Sequence, residues 1–166
     1  LRDLFHPDGV IEVTWFEGQF NDFVDASERM SAAGGVSKHF IGSPLTIFHG
    51  RKAVAETNVT IFSESPALGI GCTTQGSFYD LVENRDGVWK ILNRKAIYDM
   101  ATFAYPRGLY EIDQELLAKH PREYASLAYV LEKGGYPVKR VFPTKGSPLE
   151  KSIRESGMAW LNKGNS

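Results

Sequence analysis

Over the first hundred residues the apolar positions recur in short, β-branched, aromatic-rich runs; beyond that they recur at helical spacing. GVIEVTWF (9–16) reads as a first strand. NDFVDASERM (21–30) places Phe23, Val24, Ala26 and Met30 on one side of a short helix that Gly34-Gly35 would end. Four long strand-like stretches follow: SKHFIGSPLTIF (37–48), KAVAETNVTIFSE (52–64), ALGIGCTTQGSFYDLVE (67–83) and VWKILNRKAIYDM (88–100). The links between them carry turn residues, and short links between long strands predict an antiparallel meander. Strands of this length imply strong curvature, with Gly42, Gly69, Gly71 and Gly76 as bends. From Tyr105 onward, 113–120, 120–135 and LEKSIRESGMAWLNKG read as helices. The opening LRDLFHPDG reads as the last turn of a helix followed by a Pro-Asp-Gly turn, which predicts further helix upstream.

Alternation along a strand assigns side chains to faces. His39 shares a side with Ile41, Ser43, Leu45 and Ile47, while Lys38 points away with Phe40 and Phe48. In the next strand Glu56, Asn58, Thr60 and Phe62 form a stripe too polar for a dry core, which either meets solvent or lines a cavity. The last two strands mix polar and apolar groups on both sides, which predicts a sheet covered on each face and a homodimer or homotrimer.

Composition narrows the field of partners. The 166 residues are 42% hydrophobic and 23% charged with a net charge of −1, which fits one globular domain and disfavours a nucleic-acid surface. No apolar run is long enough for a membrane span. The single Cys72 excludes an internal disulfide framework and a cysteine-based zinc site, and it suits a cytoplasmic protein. No metal site, P-loop or dinucleotide fingerprint is present, so no cofactor is expected. The expected partner is a small hydrophobic or aromatic substrate.

The helix-end motif LRDLFHPDGVIEV, the histidine at the mouth of a strand in SKHFIG, and the run GSFYDLVENRDGVWKIL together resemble the SnoaL-like branch of the nuclear transport factor 2-like superfamily. The resemblance covers roughly residues 1–105. It implies an α+β fold, a cone-shaped curved antiparallel sheet wrapped by helices around an apolar pocket, with residues 106–166 as a helical C-terminal extension on the same domain or a partner subunit. Most enzymes of this superfamily, which include scytalone dehydratase, bile acid 7α-dehydratase, ketosteroid isomerase and polyketide cyclases, work without metal or organic cofactor. In the dehydratases the histidine matched by His39 is catalytic, with a Tyr and an Asp on the first helix as its companions. This sequence departs from the bile acid enzyme in having Tyr98 for an Arg and Phe62 for an Asp.

The resemblance assigns His39 the role of general base and then acid. An imidazole on an apolar face has its pKa lowered by desolvation and can accept a proton near neutral pH. The plain alternative is a structural histidine bound to backbone. Tyr98 is a second catalytic candidate through its phenol, against the alternative of a core tyrosine. Asn58 and Thr60 are candidate substrate hydrogen-bonders, and Trp15 and Phe62 candidate pocket walls. Asp80 and Arg94 are a candidate pair at the site, with a structural ion pair as the alternative. His6, His49 and His120 read as surface or capping residues. The expected activity is that of a lyase, a dehydratase or aldehyde-releasing enzyme, with an isomerase or cyclase and a non-catalytic binding protein as alternatives.

Overall fold

Residues 2–163 are described by a computed structural model. After a single 3-10 turn at Arg2–Leu4, strand β1 spans Phe5–Val13, β2 Phe16–Gln19, helix α1 Phe20–Ala32, β3 Val36–Ile41, β4 Leu45–His49, β5 Lys52–Ser65, β6 Ile70–Arg85 and β7 Val88–Ala104. Helices α2 (Gln114–Leu117), α3 (Ala125–Lys133) and α4 (Pro148–Asn162) complete the chain. The strands form one open, curved sheet in the order β2-β1-β7-β6-β5-β3, with β4 also pairing β5.

The sheet is mixed rather than wholly antiparallel, because β1 runs parallel to β7. These strands are separated by the whole meander, so no hairpin constrains their direction. The first strand also begins earlier than its apolar run suggests: β1 starts at Phe5 and passes straight through Pro7-Asp8-Gly9. Its pairing with β7 shifts register between Phe5 and Val10, so Pro7 sits in a bulge where no ladder N–H is required. A side chain on Gly9 would come within 2.9 Å of the His6 carbonyl oxygen, which keeps that bulge tight.

The run 37–48 forms two strands, not one. Ile41 pairs with Val59 and Leu45 with Glu56, so three residues, Gly42-Ser43-Pro44, lie opposite two. The extra residue reverses the alternation. Leu45 and Ile47 therefore turn away from the His39 face, and Phe48 turns onto it. Bulges at Gln75/Gly76 and Leu81/Val82 act similarly between β6 and β7.

The two faces of the sheet are covered by different helices. Phe20 and Val24 of α1, with Tyr124 and Ala128 of the α3 region, pack against Ile11, Ala96 and Tyr98; Tyr129 and Val130 pack against Ile70 and Cys72. This is the inner face, and His39, paired with Ile61 in register, belongs to it. On the outer face Ile153, Trp160 and Leu161 of α4 cover Val54, Tyr79 and Ile97. The chain passes from one face to the other round the β7 edge, where Tyr98 N–H donates to Pro143 O and Lys145 N–H to Tyr98 O. Helix α4 starts cleanly: the Ser147 hydroxyl accepts from Glu150 N–H, and Pro148 occupies the first turn. It approaches the sheet at Gly157, where any side chain would collide with the Tyr79 phenol. Residues 106–163 thus clasp the sheet of their own chain from both sides. Trp160, Leu161 and their neighbours exemplify how an amphipathic helix gains its stability from buried area rather than propensity.

Candidate active site

Strand β3 is an edge strand, and every one of its residues is exposed. His39 projects from it onto the inner face beside Ile41, with Ile61 opposite on β5 and Thr74 in the same row on β6. The ring reaches solvent, yet the surrounding protein lowers its pKa below the ordinary 6.5, and desolvation is the cause. The imidazole is accordingly neutral at pH 7.

The other three histidines are tied to the protein. The His6 ring is buried and its Nε2 donates to Glu83 O at 2.9 Å. His49 Nδ1 donates to Leu161 O at 3.1 Å. His120 Nε2 lies 2.7 Å from Glu132 Oε1 in a half-closed site between α2 and α3. His6 and His120 are therefore not the surface residues that their turn-like sequence context implies: His6 lies within β1 with its ring against Glu83 of β6, and His120 is held by Glu132 of α3. Among the described residues none hydrogen-bonds the His39 ring, and burial is the whole cause of its pKa shift.

The remaining candidates separate into three groups. Tyr98 lies in the core between β7 and α3: its phenol donates to Thr14 Oγ1 at 3.2 Å and accepts from Thr14 N–H at 3.1 Å, and its ring stands 5.2 Å from Tyr124. Burial pushes that phenol's pKa up. Three strand spacings, roughly 14 Å, divide its strand from that of His39. Trp15 belongs to the same side, packed on Phe23 and Tyr136.

Asp80 and Arg94 do pair, bidentately at 2.8 and 2.7 Å, with the guanidinium laid over Phe78 at 4.3 Å and Phe5 at 5.6 Å. Burial raises the Asp80 pKa while Arg94 opposes it. Both face inward, but Asp80 stands six residues along β6 from Thr74, roughly 20 Å, so it does not orient His39.

Asn58, Thr60 and Phe62 lie on the outer face, across the sheet from His39. The stripe they share begins with Glu56, which binds Arg154 of α4 at 2.7 Å and accepts from Ser77 Oγ at 3.1 Å. Its polarity serves the contact with α4, and farther on it meets solvent. Phe62 instead forms an edge-to-face pair with Phe40 at 5.7 Å.

What sequence reading missed is the rest of the inner floor. Exposed Ile41 and partly covered Ile61 make an apolar strip beside His39, and the Phe48–Trp89 edge-to-face pair, at 5.4 Å, lies on the same face near the far end of β5, where Phe48 pairs with Ala53. Phe48 faces inward only through the Gly42–Pro44 bulge, for which the Gly-Ser-Pro triplet was the available signal. Cys72 also faces inward, hydrogen-bonded to Ser63 Oγ at 3.1 Å, and its burial raises the thiol pKa and keeps it unreactive. Among the described residues no three His, Cys, Asp or Glu side chains converge as a metal site, and no helix is long and apolar enough to cross a membrane.

An inner face that carries a neutral, unbound imidazole beside apolar side chains can move a proton to or from an apolar ligand. The SnoaL-like domain family matches residues 1–95. Among solved structures, the hexachlorocyclohexane dehydrochlorinase LinA type 2 aligns with TM-score 0.53 and 13% identity over 66% of this chain and 76% of its own. A second LinA structure gives 0.52 and 16% over the same shares. A scytalone dehydratase-like protein from Novosphingobium aromaticivorans gives 0.49 and 21% over 65% of this chain and 78% of its own. No curated protein matches the chain in sequence.

Proposed function

Because the chain belongs to the SnoaL-like domain family, we propose that it is a cofactor-independent lyase that carries out elimination on a hydrophobic cyclic or aromatic small molecule, with His39 as the proton shuttle. The observation that carries this reading is the contrast among the histidines: three rings are bound to protein groups, and the fourth faces the apolar inner strip, neutral and without a protein partner among the described residues. In the proposed reaction neutral His39 takes a proton from the carbon next to the one bearing the leaving group. The C–H electron pair becomes the second bond of a C=C, and the leaving group departs with its own bonding pair. Where that group is a hydroxyl, the imidazolium returns the proton and water leaves. A chloride needs no such protonation, and the structural neighbour LinA type 2, a dehydrochlorinase, fits that variant.

A second reading, a binding protein without turnover, is favoured by one specific observation. Tyr98, Asp80 and Arg94 are each committed to partners within the fold, so none of these candidates is placed to assist His39.

The test is ultraviolet detection of new conjugation when the protein is incubated with cyclic and aromatic alcohols and halides. Turnover is expected to fall by about 10²–10⁴ in His39→Gln. The acid limb of kcat/KM is expected to have its midpoint below 6.5, activity being lost as the base becomes protonated. Binding without conversion would select the second reading, and unchanged turnover in His39→Gln would remove His39 from the mechanism.

A further inference from the structure

The inner face carries a second set of polar groups, farther along the strands than His39. Thr57 lies opposite Phe78 on β6, which lies opposite Ala96 on β7. On β5 it stands an even number of positions from Ile61, the partner of His39, so the two side chains share a face. Thr57 is only 7% exposed, and its hydroxyl is hydrogen-bonded to none of the described residues.

Arg94 reaches the same place from β7. Asp80 takes its Nε–H and one Nη2–H, and the guanidinium lies over the Phe78 ring at 4.3 Å. Nη1 carries two further N–H donors, bonded to none of the described residues, in a side chain that is 20% exposed. Among the described residues Ser126 Oγ is the one side-chain polar atom that is fully enclosed without a partner. Thr57 Oγ1 and Arg94 Nη1 also lack partners but are not enclosed, so each opens onto the space beside Phe78. The charge of the pair decides what suits them. Asp80 already balances the guanidinium, so a second anion here would be stripped of water to share one cation with a buried carboxylate. A neutral carbonyl oxygen escapes that cost, and its two lone pairs match two donors.

We propose that Arg94 Nη1 and the Thr57 hydroxyl bind a neutral carbonyl oxygen of the ligand that His39 deprotonates. This deepens the lyase reading and rests on it for the identity of the inner face as the ligand site. From Ile61 to Thr57 is roughly 13 Å of strand, so the carbonyl lies at the end of the ligand away from the reacting carbon. Thr57 and Arg94 therefore orient the ligand and do not activate its C–H bond. Phe78, partly covered, supplies an apolar floor for the carbon skeleton next to the carbonyl.

Equilibrium dialysis against 2-ethylnaphthalene, 2-acetylnaphthalene and 2-naphthoate compares a hydrocarbon, a neutral ketone and an anion on one skeleton. The His39→Gln variant is measured beside the wild type, so that binding is read without turnover. The ketone is expected to bind about tenfold more tightly than either of the others. Thr57→Val removes an unpartnered hydroxyl and keeps the shape of the side chain. It is expected to cut the ketone preference about threefold or more, to leave the binding of 2-ethylnaphthalene as it was, and not to lower the melting temperature. Arg94→Lys, with its fold checked by circular dichroism, is expected to remove the rest of the preference. Equal affinity for the ketone and the hydrocarbon, binding of neither, tighter binding of 2-naphthoate, or a Thr57→Val variant that loses both neutral compounds alike would overturn the proposal. A ketone preference without turnover of any substrate would sink the lyase reading alone, and turnover without a ketone preference would sink this one alone.

Discussion

The centre of the sheet and its β3–β4 edge are built on opposite terms. Along β6 and β7 almost every polar group that faces inward has found a partner: Asp80 holds Arg94, Tyr98 holds Thr14, and Cys72 holds Ser63. Along β3 and β4 the apolar side chains lie open to solvent, and the His39 ring is held by none of the described residues. The centre is arranged for stability, where an unsatisfied buried group would cost the most. The edge leaves apolar side chains exposed on both of its sides, with the His39 ring on the inner one. A histidine can be reactive at the edge because the centre, not the edge, holds the fold together.

Mutations at the two regions should therefore behave differently. The largest effect belongs to Arg94→Ala, which leaves the Asp80 carboxylate, 3% exposed, without its counter-charge. A loss of about 3 kcal/mol in urea unfolding is expected, and a loss under about 1 kcal/mol would mean that the centre tolerates an unpaired charge. Tyr98→Phe removes a phenol and strands the Thr14 N–H in the core; about 1 kcal/mol is expected by the same measurement. The smallest change is at the edge. His39→Gln should alter stability by less than about 0.5 kcal/mol at pH 7. The folded chain binds the His39 proton more weakly than the unfolded chain does, so the wild type loses a small increment of stability as pH falls below 6.5. The Gln variant should lack that increment, which a comparison of melting temperatures at pH 5 and pH 7.5 would detect.

Sequence alone carried the fold further than the site. Alternation placed His39 and Lys38 on opposite faces; it failed past Gly42-Ser43-Pro44, where one additional residue inverts every later position of the strand, and again on β7 at the bulges opposite Gln75/Gly76 and Leu81/Val82. The polar stripe of Glu56, Asn58 and Thr60 was ambiguous because the residue that explains its start, Arg154, lies 98 positions farther along the chain. The Tyr98–Thr14 bond spans 84 positions and has no local signature at all. The Asp80–Arg94 pair was legible because the two strands are joined by a short turn that brings these residues close, although the bulge at Leu81/Val82 moves Asp80 one residue on from Asn93, the partner that loop length alone would give. Local chemistry and short-range pairing are written in the order of residues. Contacts made by the tail over long separations are not.

The passage of the chain round the β7 edge protects the molecule from itself. β1 pairs with β7 from Ile91 to Lys95 and then stops, which would leave the backbone at Tyr98 as a bare sheet edge able to recruit a foreign strand. The segment Pro143–Lys145 occupies that place through the bonds to Tyr98, so the tail caps the sheet as well as clasping it. A chain cut before this segment would keep all seven strands yet expose an adhesive edge, and insolubility rather than unfolding is the failure such a truncation would show.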